Sequence, residues 1–163
     1  MGVINKLRKK THKMQTSQTE MTRVIHDTFK SLDLMYEYLD NDHVFTTIVH
    51  GNNIPVPLIV HIEEYCIHMV SLLELEYDPR NLQETLLKMN SINSELSYGA
   101  FYLEPESKMM VFEYRFPYCE TKVNTDYVGT FIGMVVRTMD GRGSTLKAIA
   151  EKKSSAECEA MYN

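Results

Sequence analysis

Cysteine is scarce in this sequence, long apolar runs are missing, and basic residues do not outnumber acidic ones. The three cysteines, Cys66, Cys119 and Cys158, are too few and too scattered for a disulfide framework, and no CxxC pair points to zinc or thiol exchange. A reducing, cytoplasmic setting is the expectation. No stretch of eighteen apolar residues occurs and the N-terminus lacks the apolar segment of a signal peptide, so neither export nor integral membrane association is expected. The net charge of −5 gives no basic footprint for neutralising phosphates, which excludes general nucleic-acid binding. The catalytic spacings HExxH and GxxxxGK[ST] are also missing; Gly141-Arg142-Gly143-Ser144 lacks both the length and the preceding strand of a phosphate loop. No internal repeat is visible.

What is present is a globular composition, 44% hydrophobic and 24% charged over 163 residues, enough for one core. The expected organisation is a basic tail over residues 1–18, a single α+β domain over 19–151 and a frayed tail over 152–163. The first segment carries Lys6, Arg8, Lys9, Lys10 and Lys13 beside Val3, Ile4 and Leu7. A solvated tail is the expectation, with a short amphipathic helix on an acidic partner or anionic membrane as the other reading. Gly2 suggests a myristoylation start, but Lys6 stands where that signal has Ser or Thr.

Periodicity supplies the elements. Met21, Val24, Ile25, Leu32, Met35 and Leu39 recur at helical steps, predicting one helix from Gln18 to Leu39. Three runs rich in β-branched residues follow at 43–50, 55–63 and 65–76, and the links between them are too short for parallel crossovers, so they form an antiparallel meander. Asp78-Pro79 starts a helix reaching Ser94, with Leu82, Leu86 and Met89 as its stripe. Strands at 96–104 and 108–117 are joined by Pro105-Glu106-Ser107, and Asn124 or Thr125 caps a helix carrying Val128, Ile132 and Val135. Gly129 and Gly133 on that helix suggest close approach to the sheet. A last helical stretch spans Ser144 to about Cys158. The fold predicted is a five-stranded antiparallel sheet with helices mainly on one face, in the order helix, three strands, helix, two strands, helix.

The segment Leu86-Leu87-Lys88-Met89-Asn90-Ser91-Ile92-Asn93, followed by Gly99-Ala100-Phe101-Tyr102-Leu103, Met110-Val111-Phe112 and Phe116-Pro117, resembles the YbjN-type domain family, bacterial sensory-transduction-regulator-like, whose fold is shared with type III secretion chaperones. The resemblance implies a dimer-forming α+β domain without known enzymatic activity.

Candidate chemistry is sparse. If His50 and His61 faced each other across the first hairpin, with His68 or Cys66 adjacent, a transition-metal site would be available, but no HxH spacing fixes two ligands on one face. His43 lies in the same region. Cys66 or Cys119 beside a histidine would make a nucleophile pair, yet nothing in the sequence brings thiol and base together. The carboxylate pairs Glu63-Glu64 and Glu74-Glu76 read as solvated edges. A metal- or thiol-dependent enzyme is therefore the alternative, and the primary expectation is a non-enzymatic protein-binding module without cofactor. Strand alternation places Ile59, His61, Tyr102, Met109 and Val111 on the sheet face opposite the helices, a mixed surface suited to a second copy or to an extended segment of another protein.

Overall fold

The computed structural model describes residues 17–118 and 123–152. The tail at 1–16, Cys119, Cys158 and the end of the C-terminal helical stretch lie outside the described residues. Helix α1 (Gln18–Ser31) begins at an N-cap: the Ser17 side chain accepts from the Glu20 N–H at 3.1 Å, and the Glu20 carboxylate lies in the first turn, where the helix dipole favours it. Its buried face carries Met21, Ile25, Thr28 and Phe29.

The helix ends at Ser31, not at Leu39. Asp33 adopts φ 52°, its N–H bonds Lys30 O at 3.1 Å, and the Leu34 N–H bonds Phe29 O at 2.9 Å, which together form a Schellman cap with Asp in the left-handed position usually held by Gly. The released chain becomes a strand, β1 (Tyr36–Leu39), paired antiparallel with β2 (Val44–His50). The sheet accordingly has six strands, and four of them precede the second helix. Then come β3 (Pro55–Ile62) and β4 (Cys66–Glu74), as the meander predicted. Asp78 accepts from the Arg80 N–H at 2.9 Å and Pro79 opens a 3₁₀ turn, which leads into α2 (Leu82–Glu95). The hairpin β5 (Ala100–Glu104) and β6 (Met109–Pro117) turns through a left-handed Lys108. Asn124 caps α3 (Thr125–Thr138) by accepting from the Tyr127 N–H at 2.9 Å. A π turn over Met139–Gly143 then feeds α4 (Ser144–Ala150).

The order across the sheet is β1-β2-β3-β4-β6-β5, with every neighbouring pair antiparallel. Phe45, Leu58, Val60, Met69, Phe112 and Phe101 on one face join Met21, Ile25, Met89, Ile92, Val128 and Ile132 from the helices in a single core. Two local expectations change. The core side of α2 is Thr85, Met89 and Ile92, while Leu86 and Leu87 are exposed, the latter 65%. Gly129 faces α1 rather than the sheet; a Cβ there would sit 3.8 Å from Thr28 and 4.0 Å from Leu32, ordinary contact distances.

Candidate functional site: the open face of the sheet

Register determines which side chains share the face opposite the helices. Ile59 lies opposite Val70, which lies opposite Glu113, which lies opposite Ala100. Leu72, Val111 and Tyr102 form a second cross-strand row, and Glu74, Met109 and Glu104 a third. His61, His68 and Arg115 form the fourth. The five residues read from the sequence, Ile59, His61, Tyr102, Met109 and Val111, therefore all lie on one face. They differ in access. Tyr102 is 38% exposed, and Ile59, His61 and Met109 are half-buried. Val111 is 2% exposed within the single chain, flanked by Leu72 and Tyr102, so it supports this face without being available on it.

One end of the face carries a polar cluster. The hairpin linking β3 to β4 reads His61-Ile62-Glu63-Glu64-Tyr65-Cys66-Ile67-His68, and pairing Ile62 with Ile67 sets His61 directly opposite His68. Glu63 Oε1 sits 3.5 Å from His68 Nδ1, 3.9 Å from His61 Nδ1 and 4.0 Å from an Arg115 guanidinium nitrogen. The Cys66 thiol donates to Glu63 Oε2 at 3.0 Å. That hydrogen bond is the largest of the effects that hold the Glu63 carboxyl below its usual range; the positive charge of Arg115 adds to it and burial opposes it. His68 Nε2 lies 3.3 Å from Glu113 Oε2, and an Arg115 nitrogen lies 3.3 Å from His68 Nδ1.

The other sequence candidates are dispersed. His50 pairs with Pro55, far along the strand from His61, whose partner on β2 is Val44. The metal arrangement built on a facing His50 and His61 is thus not formed. His43 turns the chain at φ 52° and its Nδ1 lies 3.2 Å from the Tyr38 hydroxyl. Glu64, Glu74 and Glu76 are exposed. Gly141 and Gly143 belong to the π turn rather than to a phosphate cradle.

Sequence reasoning missed Glu63 as the hub and Arg115 and Glu113 as its neighbours. The signal was available in the near-symmetric His-Ile…Ile-His spacing about the turn, which fixes the histidine pair once the turn length is known. It also missed Asp140. This carboxylate accepts from the backbone N–H groups of Asn52 (3.1 Å), Asn53 (2.8 Å) and Ile54 (3.0 Å), and these bonds, Ile54's first, hold its carboxyl below the usual range.

No curated protein matches the chain. The fold is similar to that of solved structures, among them these two. One, from the HopA1-SchA chaperone-effector complex, has a TM-score of 0.55 at 14% identity and covers 74% of this chain and 91% of that one. The other, the crystal structure of YbjN from E. coli, has a TM-score of 0.54 at 11% identity and covers 86% of this chain and 92% of that one. A family model described as "Putative bacterial sensory transduction regulator" matches residues 23–146, most of the sequence, and the chain belongs to that family, YbjN.

Proposed function

We propose that this chain is a non-enzymatic binding module of regulatory or chaperone-like kind, and that the open face of its sheet is where it pairs with a second copy of itself. The observation that carries the reading is the face itself: Ile59, Val70, Leu72 and Met109 are half-buried, and Tyr102 stands 38% exposed beside them. A sheet face meant only for water needs no such continuous apolar band. An antiparallel sheet backed by helices on one side can bury its other side against an equivalent sheet, giving a self-complementary two-fold interface. Membership of the YbjN family and likeness to a chain from a chaperone-effector complex support a protein-binding role. No helix among the described residues is long and apolar enough to cross a membrane.

The test uses Tyr102→Glu and Ile59→Glu, because a charge placed in the centre of an interface loses its water without gaining a partner. Val111 is unsuitable, since its burial within one chain would confound folding with association. Light scattering of the wild type at micromolar concentration is expected to give a dimer, and both variants a folded monomer by circular dichroism. A dimer that survives both changes and dissociates instead with Leu87→Glu would move the interface to the exposed side of α2. A monomeric wild type would remove the homodimer, leaving an extended segment of another protein as the occupant to seek.

A further inference from the structure

We propose that His61, Glu63 and His68 form a three-ligand site for a divalent transition metal of the zinc class, a property independent of the docking role. One candidate ligand atom from each of His61, Glu63 and His68 lies within 4.8 Å of the other two. Zinc bonds of about 2.1 Å at tetrahedral angles place ligand atoms about 3.4 Å apart. The distances from Glu63 Oε1, 3.5 Å to His68 and 3.9 Å to His61, are close to that before any ion draws the side chains in. Two imidazoles and a carboxylate are also a donor set suited to zinc, and they leave a fourth position for water.

The surrounding groups hold each ligand in the state a metal needs. A carboxylate can only accept, so Glu113 beside His68 Nε2 places the proton there; a guanidinium can only donate, so Arg115 beside Nδ1 finds a lone pair. With that tautomer the Nδ1 lone pair of His68 lies on the side of His61 and Glu63, where an ion would take it. This carboxylate-histidine pairing is the arrangement that orients imidazole ligands in metal sites. On the other side, the Cys66 thiol occupies Glu63 Oε2 and leaves Oε1 facing the histidines. All three ligands also sit on the β3–β4 hairpin, where the cross-strand pairs fix their spacing.

Arg115 is the group that an ion must replace. Its nitrogen sits 3.3 Å from one ligand atom and 4.0 Å from another, and its side chain is 55% exposed, free to swing toward solvent. In the metal-free protein the guanidinium supplies the positive charge that the carboxylate and the lone pairs face. This makes a prediction that a merely structural cluster does not: removing Arg115 strengthens metal binding.

The full chain, stripped of metal, is titrated with zinc in competition with a chromogenic chelator, and cobalt(II) is added separately to read coordination from its visible spectrum. One equivalent of zinc per chain is expected at micromolar concentration or below. Glu113→Ala weakens binding roughly 10–100-fold, as loss of an orienting carboxylate does. His61→Ala, Glu63→Ala and His68→Ala weaken it further, His50→Ala leaves it unchanged, and Arg115→Ala tightens it. Because these residues lie outside the core, circular dichroism should show every variant folded; cobalt spectra of the wild type provide an independent reading if one variant is not. A wild type that binds no stoichiometric zinc overturns the site, as does affinity unchanged in both His61→Ala and His68→Ala. Weaker binding by Arg115→Ala would also overturn it, by removing the place assigned to the ion.

Discussion

Asn93 donates through Nδ2 to Phe101 O at 2.9 Å and accepts at Oδ1 from the Phe101 N–H at 2.8 Å. One side-chain amide thus satisfies both backbone groups that Phe101 turns away from β6, as a neighbouring strand would, and β5 is an edge strand whose free groups need such cover. Gly99, two residues before Phe101, has φ 64°, and a Cβ there would lie 2.5 Å from the Phe112 ring. Only glycine meets both demands. These two positions explain physically why the stretch from Leu86 to Pro117 carried the family resemblance: it encodes a helix end tied to a strand start. Asn90, from the same stretch, is exposed, and nothing in the structure explains its part in the pattern. Replacing Asn93 with Ala removes two neutral hydrogen bonds and uncovers the Phe101 backbone, an expected loss of about 1–3 kcal/mol. Urea unfolding of the purified variant checks it; a midpoint equal to that of the wild type would mean that water covers the edge equally well.

The largest departure from the sequence reading concerns α1 and β1. Leu32, Met35 and Leu39 continue the helical spacing of Met21 and Ile25, so periodicity alone carries the helix eight residues too far. The stop signal is Asp33 in a left-handed cap where glycine is the common cue, and the strand it releases spans only four residues. The remaining strands and caps were legible because alternation, Asp78-Pro79 and Asn124 agree with one another. Asp140 was not legible, since nothing local links it to residues more than eighty positions earlier. Its carboxylate joins the π turn to the β2–β3 turn, and Gly51 leaves room for it: a Cβ there would overlap the carboxylate. Because the folded protein lowers this group's pKa, its stabilisation is fully present above the unfolded value near 3.9 and is lost as pH falls through the lower folded value. Asp140→Asn is therefore expected to lower the thermal midpoint at neutral pH, with the gap from wild type narrowing below about pH 4. Scanning calorimetry across that range decides it, and a gap independent of pH would show that the charge is not what the turn uses.

Across the whole molecule, protection should follow the order of the sheet. β4 is flanked by β3 on one side and by β6 along its entire length on the other, and its inward residues Ile67 and Met69 are fully buried. β1 has one neighbour, four paired residues and an exposed Leu39. Short loops made the meander of β2, β3 and β4 legible, whereas the placement of β6 rather than β5 beside β4 depends on where α2 delivers the chain, which no local pattern states. The open face was legible by alternation, but its polar end became visible only with the register that brings His61, His68 and Arg115 into one row. Local opening costs least where few buried contacts and few ladder bonds must break, so backbone amides in β4 and its neighbours β3 and β6 are expected to exchange slowest with deuterium and those in β1 fastest among the strands. Hydrogen exchange over a range of protein concentrations tests the proposed pairing as well. Amides of β1 that remain fast while the centre of the sheet gains protection with concentration would agree with pairing through the open face, and β1 protected as strongly as β4 would instead assign the association to strand addition at that edge.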